Sequence, residues 1–276
     1  MPSPQPRKRF AQHWLRSPAT LNHILEAADL SLADRILEIG PGTGILTERL
    51  LPKASSVVAI EIDRDLCVQL AKKFGKIDNF LLLQGDILSF DLNAHLSAFP
   101  QFQHPNKVVA NIPYNITGPI IEGLLGTIAK PALKPFDAIV LLVQKEVGDR
   151  LCAKPSSKAF GALSVRVQYL AECDWICHVP AKAFYPPPKV DSAVVRLRPR
   201  PIASPAQNPQ LLETLVKLGF STRRKMLRNN LKSQVEPQIL NQLLETLDIN
   251  PQVRAEDLSL QQWVQLSNLL LAPNNQ

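Results

Sequence analysis

Little in this chain points to a metal, a membrane or an export route. It carries four cysteines, Cys67, Cys152, Cys173 and Cys177, and five scattered histidines. Cys173 and Cys177 are near neighbours, but no second pair completes a tetrahedral site. No metal is expected, and the cysteines read as reduced structural thiols in a reducing compartment. No apolar run approaches the length of a transmembrane helix. Met1–Pro6 lacks the apolar core of a signal peptide. A cytoplasmic protein without a membrane partner is the expectation. There is no internal repeat and no long low-complexity segment.

Proline and positive charge are what the chain has in quantity. Among 276 residues it carries 24 prolines and a net charge of +7, with a pI near 9.3. Moderate basicity suits a polyanionic partner. The charge is gathered at Arg7-Lys8-Arg9, at Arg196, Arg198 and Arg200 along an apparent strand, and at Arg223, Arg224, Lys225, Arg228 and Lys232 along an apparent helix. Any one cluster could be a solvated face, but three together favour nucleic acid.

Hydrophobic periodicity then orders the chain. Residues 1–12 read as a flexible basic arm, and Ser17-Pro18 as the cap and first position of a helix. Strands are expected at 35–39, 56–62, 80–83, 107–110 and 138–143, with helices at 43–51, 66–74 and about 119–127. Such alternation predicts an α/β fold with a parallel sheet and helices on both faces. Two further strands, 175–179 and 192–197, have no helix between them and predict an antiparallel hairpin at the sheet edge. The proline-rich stretch 199–209 reads as a linker, and the remainder is helical in pattern. The expected domains are therefore 1–204 and a small helical domain, 205–276.

Ligands on parallel sheets bind at the carboxyl ends of the strands, and the polar signals of this chain fall there. Glu38-Ile39-Gly40-Pro41-Gly42-Thr43-Gly44 follows the first strand. Its G-x-G-x-G spacing with a preceding acid differs from the G-x-G-x-x-G of dinucleotide sites and suits a cationic, phosphate-free ligand such as S-adenosylmethionine. Glu61, after the second strand, can accept both hydroxyls of a ribose. Asp86, after the third, can accept from an adenine amine; a plain Gly-Asp turn is the bland alternative. Asn111-Ile112-Pro113-Tyr114 follows the fourth. The exocyclic amine of adenine is a poor nucleophile because its lone pair is delocalised into the ring. The Asn111 oxygen and the Ile112 carbonyl, rigidified by Pro113, can accept hydrogen bonds from that amine and favour the pyramidal nitrogen that attacks. Tyr114 can stack on the base. Phe184, on a proline-braced turn, is a candidate second wall, or else ordinary core.

With those motifs in place, the chain resembles the bacterial small-subunit (16S) ribosomal RNA adenine dimethyltransferase family over nearly its whole length. The resemblance rests on Glu38 to Gly42, Glu61-Ile62-Asp63, Asn111 to Asn115, Gln144-Lys145-Glu146, Phe184 to Ser192, and Arg223-Arg224-Lys225 with Arg228-Asn229. It implies a Rossmann-like, seven-stranded class I methyltransferase sheet with an all-helical C-terminal domain. It implies S-adenosylmethionine as donor and N6,N6-dimethyladenine at two adjacent adenines in a hairpin near the 3′ end of 16S rRNA as product. The implied substrate is that rRNA within the small ribosomal subunit or its precursor, acted on by a monomer with a role in subunit biogenesis. Family cofactor contacts map onto His13, Leu15, Gly40, Glu61, Asp86 and Asn111. His13 stands where the family usually has Asn, and Ile112 where it usually has Leu. Arg223, Arg224, Lys225 and Arg228 are the expected RNA contacts. The competing readings are a 23S rRNA methyltransferase of the macrolide-resistance type, a DNA adenine methylase, and a non-catalytic RNA-binding assembly factor.

Overall fold

The computed structural model describes residues 5–7, 10 and 12–271. In chain order it contains β1 (Trp14–Leu15), α1 (Pro18–Ala28), β2 (Arg35–Ile39), α2 (Thr47–Leu50), β3 (Ser56–Glu61), α3 (Arg64–Phe74), β4 (Phe80–Gln84) and α4 (Leu92–Leu96). There follow β5 (Lys107–Asn111), α5 (Thr117–Leu125), β6 (Ala138–Gln144), α6 (Lys145–Leu151), α7 (Ala162–Leu170), β7 (Ala171–Val179), β8 (Phe184–Tyr185) and β9 (Ser192–Pro199). The chain closes with α8 (Pro209–Gly219), α9 (Leu227–Leu231), α10 (Pro237–Thr246) and α11 (Leu260–Leu269).

Seven strands form one sheet in the order β4-β3-β2-β5-β6-β9-β7. From β4 to β6 all neighbours run parallel, and β9 lies antiparallel to β6. Every residue of β3 is buried, and so are all but the last of β6, as strands covered on both faces require. Chain order reverses between β2 and β5: from β2 the chain first builds outward to β4, then returns to place β5 on the other side. Such a switch point opens a crevice at the carboxyl ends of the two central strands. The predicted edge hairpin is more elaborate than expected. Between β7 and β9 the chain leaves the main sheet, and β8 pairs with β1 as a separate two-stranded ribbon.

Helix boundaries follow capping chemistry. The Ser17 side chain accepts from the Thr20 N–H, with Pro18 opening α1. Asn208 caps α8 in the same way through the Leu211 N–H, and Ser259 forms a capping box with Gln262 on α11. The helix predicted at 43–51 is shorter, because the glycine turn continues to residue 46 before α2 begins. Gly40 and Gly42 have φ of +67° and +61°, left-handed values that side-chain-bearing residues avoid.

The chain divides into two compact units. The first comprises 1–124, 134–148 and 174–199; the second comprises 125–133, 149–173 and 200–276. The first holds the sheet and its core. The second gathers the C-terminal helices together with α7, so its membership is wider than the contiguous 205–276 expected from the sequence. Its centre is Trp263, fully buried and packed on Phe220, with ring centroids 5.8 Å apart. A Cβ on Gly219 would come within 2.5 Å of that indole, which explains a glycine at the end of α8.

Candidate active site

The carboxyl ends of β2, β3, β4 and β5 open into a cleft whose wall includes Gly40, Glu61, Asp86 and Asn111. Each lies within two residues of its strand end, so the parallel sheet aligns them in the spatial order Asp86, Glu61, Gly40, Asn111. Gly40 faces Asn111 across the switch point. A Cβ added to Gly40 would lie 3.9 Å from the Asn111 carbonyl oxygen and 3.9 Å from Pro113 Cδ.

Glu61 is 5 % exposed and accepts from two backbone amides, the Gly42 N–H at 3.1 Å and the Asp63 N–H at 2.9 Å. It thereby ties the glycine turn to the end of β3, and each oxygen keeps a lone pair for a hydroxyl donor. Burial raises its pKa despite those amides. Behind it Glu38 is fully buried and accepts from the Thr47 hydroxyl at 2.7 Å. Burial, with the nearby Glu61 charge, pushes the Glu38 carboxyl up to about 8. Asp86 accepts from the Leu88 N–H at 3.0 Å through one oxygen, leaving the other available. These three acids contribute to the cleft, and among the described residues no Lys or Arg lines it. Such a lining suits a cation bearing a ribose.

Asn111 supplies the sharpest geometry. Its side-chain NH₂ donates to the His13 carbonyl at 3.2 Å. That bond uses one of the two N–H groups and sets the direction of Oδ1, which can only accept. The following turn is fixed by the Ile116 N–H on the Pro113 carbonyl, and it leads directly into α5. Tyr114 is held by its hydroxyl, which lies 2.6 Å from Ser192 Oγ, and burial pushes its pKa up to about 12. Its ring is thus oriented, and its proton stays in place at neutral pH.

His13 and Leu15 both line the cleft, as expected. The His13 imidazole is held by two contacts. Its Nδ1 lies 2.8 Å from the Pro186 carbonyl oxygen, and its ring stacks on Tyr114 at 5.8 Å and 22°. Phe184 does not form the second wall. It is 4 % exposed, belongs to the core and does not line the cleft. The reason is strand alternation: Phe184 pairs with Leu15 and turns inward, whereas Tyr185 pairs with Trp14 and is exposed. Sequence reasoning also missed Gln12, whose amide donates to Asp63 at 3.1 Å while its oxygen accepts from the Arg7 N–H at 2.7 Å. Arg7 itself pairs with Asp63 at 3.0 Å and with Asp65. This part of the supposed flexible arm is bound to the start of α3; Lys8 and Arg9 lie outside the described residues.

The other basic clusters are rearranged too. Arg196 and Arg198 share Asp174, at 3.0 and 3.2 Å, and Arg200 donates to the Gln168 carbonyl. These contacts tie Arg196 and Arg198 to the neighbouring strand β7 and Arg200 to α7. Arg223, Arg224 and Lys225 are on the exposed loop between α8 and α9, and only Arg228 is helical. Phe220 ends α8 and Met226 is extended, which interrupts the continuous helix expected there. Arg223 pairs with Glu256 at 3.0 Å and donates to the Lys158 carbonyl. No ion pair engages Arg224 or Lys225 among the described residues.

Residues 4–271 match the family described as ribosomal RNA adenine dimethylase. The chain belongs to that family. It is 70 % identical over 266 residues to the ribosomal RNA small subunit methyltransferase A of a Nostoc strain, covering 96 % of this chain and 98 % of that one. Identity to the protein of the same name from Rippkaea orientalis is 66 %, over 97 % of this chain and 98 % of the other. Among solved structures, a dimethyladenosine transferase from Plasmodium falciparum superposes with a TM-score of 0.76 at 28 % identity, over 92 % of this chain and 96 % of that one. The 23S rRNA methyltransferase ErmE gives 0.71 at 26 %, over 93 % and 99 %. As an rRNA adenine dimethylase the chain is a methyltransferase, and its sheet has the Rossmann-like class I arrangement that the motifs implied.

Proposed function

We propose that this chain transfers methyl groups from S-adenosylmethionine to the N6 amines of two adjacent adenines in a hairpin near the 3′ end of 16S rRNA, giving N6,N6-dimethyladenine during small-subunit maturation. The observation that carries the reading is the pinned amide of Asn111, an acceptor oxygen beside an acidic cleft that lacks Lys and Arg among the described residues. When bound, the donor supplies an electrophilic methyl on a positively charged sulfur. Glu61 accepts the ribose hydroxyls, and Asp86 accepts from the donor's adenine amine. The glycine turn from Gly40 lets backbone approach the donor closely, and His13 and Leu15 close the near wall.

The target base leaves its stack to reach the methyl. Asn111 Oδ1 and the Ile112 carbonyl accept from its amine, and Pro113 holds that carbonyl in place. Tyr114 offers a ring for stacking, and the base meets or displaces the His13 imidazole that lies on it. Positioning of two reactants in line is the main contribution of the protein. Arg224, Lys225 and Arg228, with Arg223 after release from Glu256, contact rRNA phosphates, which makes binding weaken as salt rises. The small-subunit assignment is favoured over a large-subunit one by 60–70 % identity to relatives that all bear the small-subunit name, against 26 % to ErmE.

The test is radiolabelled methyl transfer to unmethylated small subunits and, separately, to large-subunit rRNA, with mapping of the product nucleosides. Dimethyladenine in the small subunit alone is expected. Asn111→Ala should lower turnover by about 100-fold or more, with donor affinity and melting temperature nearly unchanged. Near-normal turnover would remove Asn111 from the chemistry.

A further inference from the structure

The β1–β8 ribbon presents an aromatic ring and a guanidinium outside the cleft that the reaction described above does not use. Tyr185 is 42 % exposed, and the Arg16 guanidinium carbon sits 4.1 Å from the centre of its ring. The pair is built in. The Arg16 N–H donates to the Ala183 carbonyl at 2.7 Å, and Tyr185 is in register with Trp14. Arg16 is exposed and has no carboxylate partner among the described residues. The pair is also adjacent to the cleft. Trp14 and His13 line it, and the carbonyl of Pro186, the residue after Tyr185, contacts the His13 ring.

We propose that Tyr185 and Arg16 form a docking step for the nucleotide next to the methylated adenine, with the Tyr185 ring stacking on its base and Arg16 engaging its phosphate. A guanidinium over an aromatic face is oriented but keeps donor edges for an anion. An exposed aromatic stacks on any base, because every base has a π-face. When one base is drawn into the cleft, the strand has to continue past the rim, and this platform lies on that rim. A protein partner would have no need for an unpaired cation beside a ring at this place; a single-stranded RNA segment supplies both chemistries at one nucleotide. The inference rests on the cleft acting on an RNA adenine.

Kinetics on unmethylated small subunits test it. Tyr185→Ala should raise KM for the subunit about tenfold, with kcat and the affinity for S-adenosylmethionine each held within about twofold. Tyr185→Trp should keep KM near that of the unaltered protein. Arg16→Gln should raise KM by a smaller factor and reduce the slope of log affinity against log salt by about 0.7, one phosphate on a single strand. An unchanged KM in Tyr185→Ala, a loss that Trp does not rescue, or an equal fall in donor affinity would overturn the proposal. Should Tyr185→Ala fail to fold, Arg16→Gln decides alone, and an unaltered salt slope with unaltered KM overturns it. Failure of the unaltered protein to methylate small subunits would instead overturn the functional reading above.

Discussion

At the edge of the sheet where the parallel strands begin, Asp34, Asn106, Lys107 and Asp137 satisfy one another. At the edge where they end, Glu38, Glu61 and Asp86 line a cleft that has no Lys or Arg among the described residues. Asn106 donates to Asp34 and to Asp137, each at 2.8 Å, and Lys107 pairs with Asp34 at 3.0 Å. Burial opposes the charge on Asp34, but Asn106, Ser31 and Lys107 outweigh it and hold its carboxyl below the ordinary range. Glu38 and Glu61 at the other edge are raised. One edge spends its charges on itself and stabilises the fold. At the other edge, burial disfavours the charged forms of Glu38 and Glu61.

Breaking each edge should therefore give different readouts. Lys107→Ala leaves the Asp34 carboxylate nearly buried and short of its counter-charge. It should cost about 3 kcal/mol of unfolding free energy, measured by denaturant titration, while donor affinity is unaltered. A parallel loss of donor affinity would show that the two edges are coupled. Glu61→Gln should do the reverse. Donor affinity, measured calorimetrically, should fall about 10- to 100-fold with the loss of charge-assisted hydrogen bonds. The stability loss should be smaller than for Lys107→Ala. Unchanged affinity would move ribose recognition away from Glu61.

The effect at Glu38 is a matter of sign. Its folded pKa of about 8 lies above the ordinary 4.5, so the folded state holds a proton that the unfolded state releases. The stability it contributes is fully present below pH 4.5 and is lost as pH rises towards 8. Glu38→Gln should flatten the decline of melting temperature across that window. A decline as steep as before would assign it to other groups.

What could be read from the sequence was local. Gly40, Glu61, Asp86 and Asn111 each follow an apolar run within a residue or two, and parallel strands deliver such positions to one edge whatever the rest of the chain does. What could not be read depended on distant partners. Phe184 and Tyr185 carry equal aromatic signal, and only pairing with Trp14 and Leu15, some 170 residues earlier, decides which of them is buried. Arg196 and Arg198 look like a basic stripe until Asp174 is set beside them from a neighbouring strand. The segment 221–226 lacks a proline or glycine to mark it as a loop, so its basic residues were assigned to a helix. The second unit recruits 125–133 and 149–173 through packing, which no linear boundary can express.

The hydrogen bond from Asn111 to the His13 carbonyl also bears on which base is accepted. A freely rotating amide can offer either a donor or an acceptor, and so would serve a purine with an amine at C6 or one with a carbonyl there. Anchored through one N–H, Asn111 has the direction of its oxygen fixed and cannot flip to exchange oxygen and nitrogen without losing that bond. Guanine or hypoxanthine would set carbonyl against carbonyl in a desolvated site, an unpaired arrangement that binding sites reject strongly. On the proposed reading, the His13 carbonyl therefore contributes to the choice of base by holding the acceptor of Asn111 towards an amine.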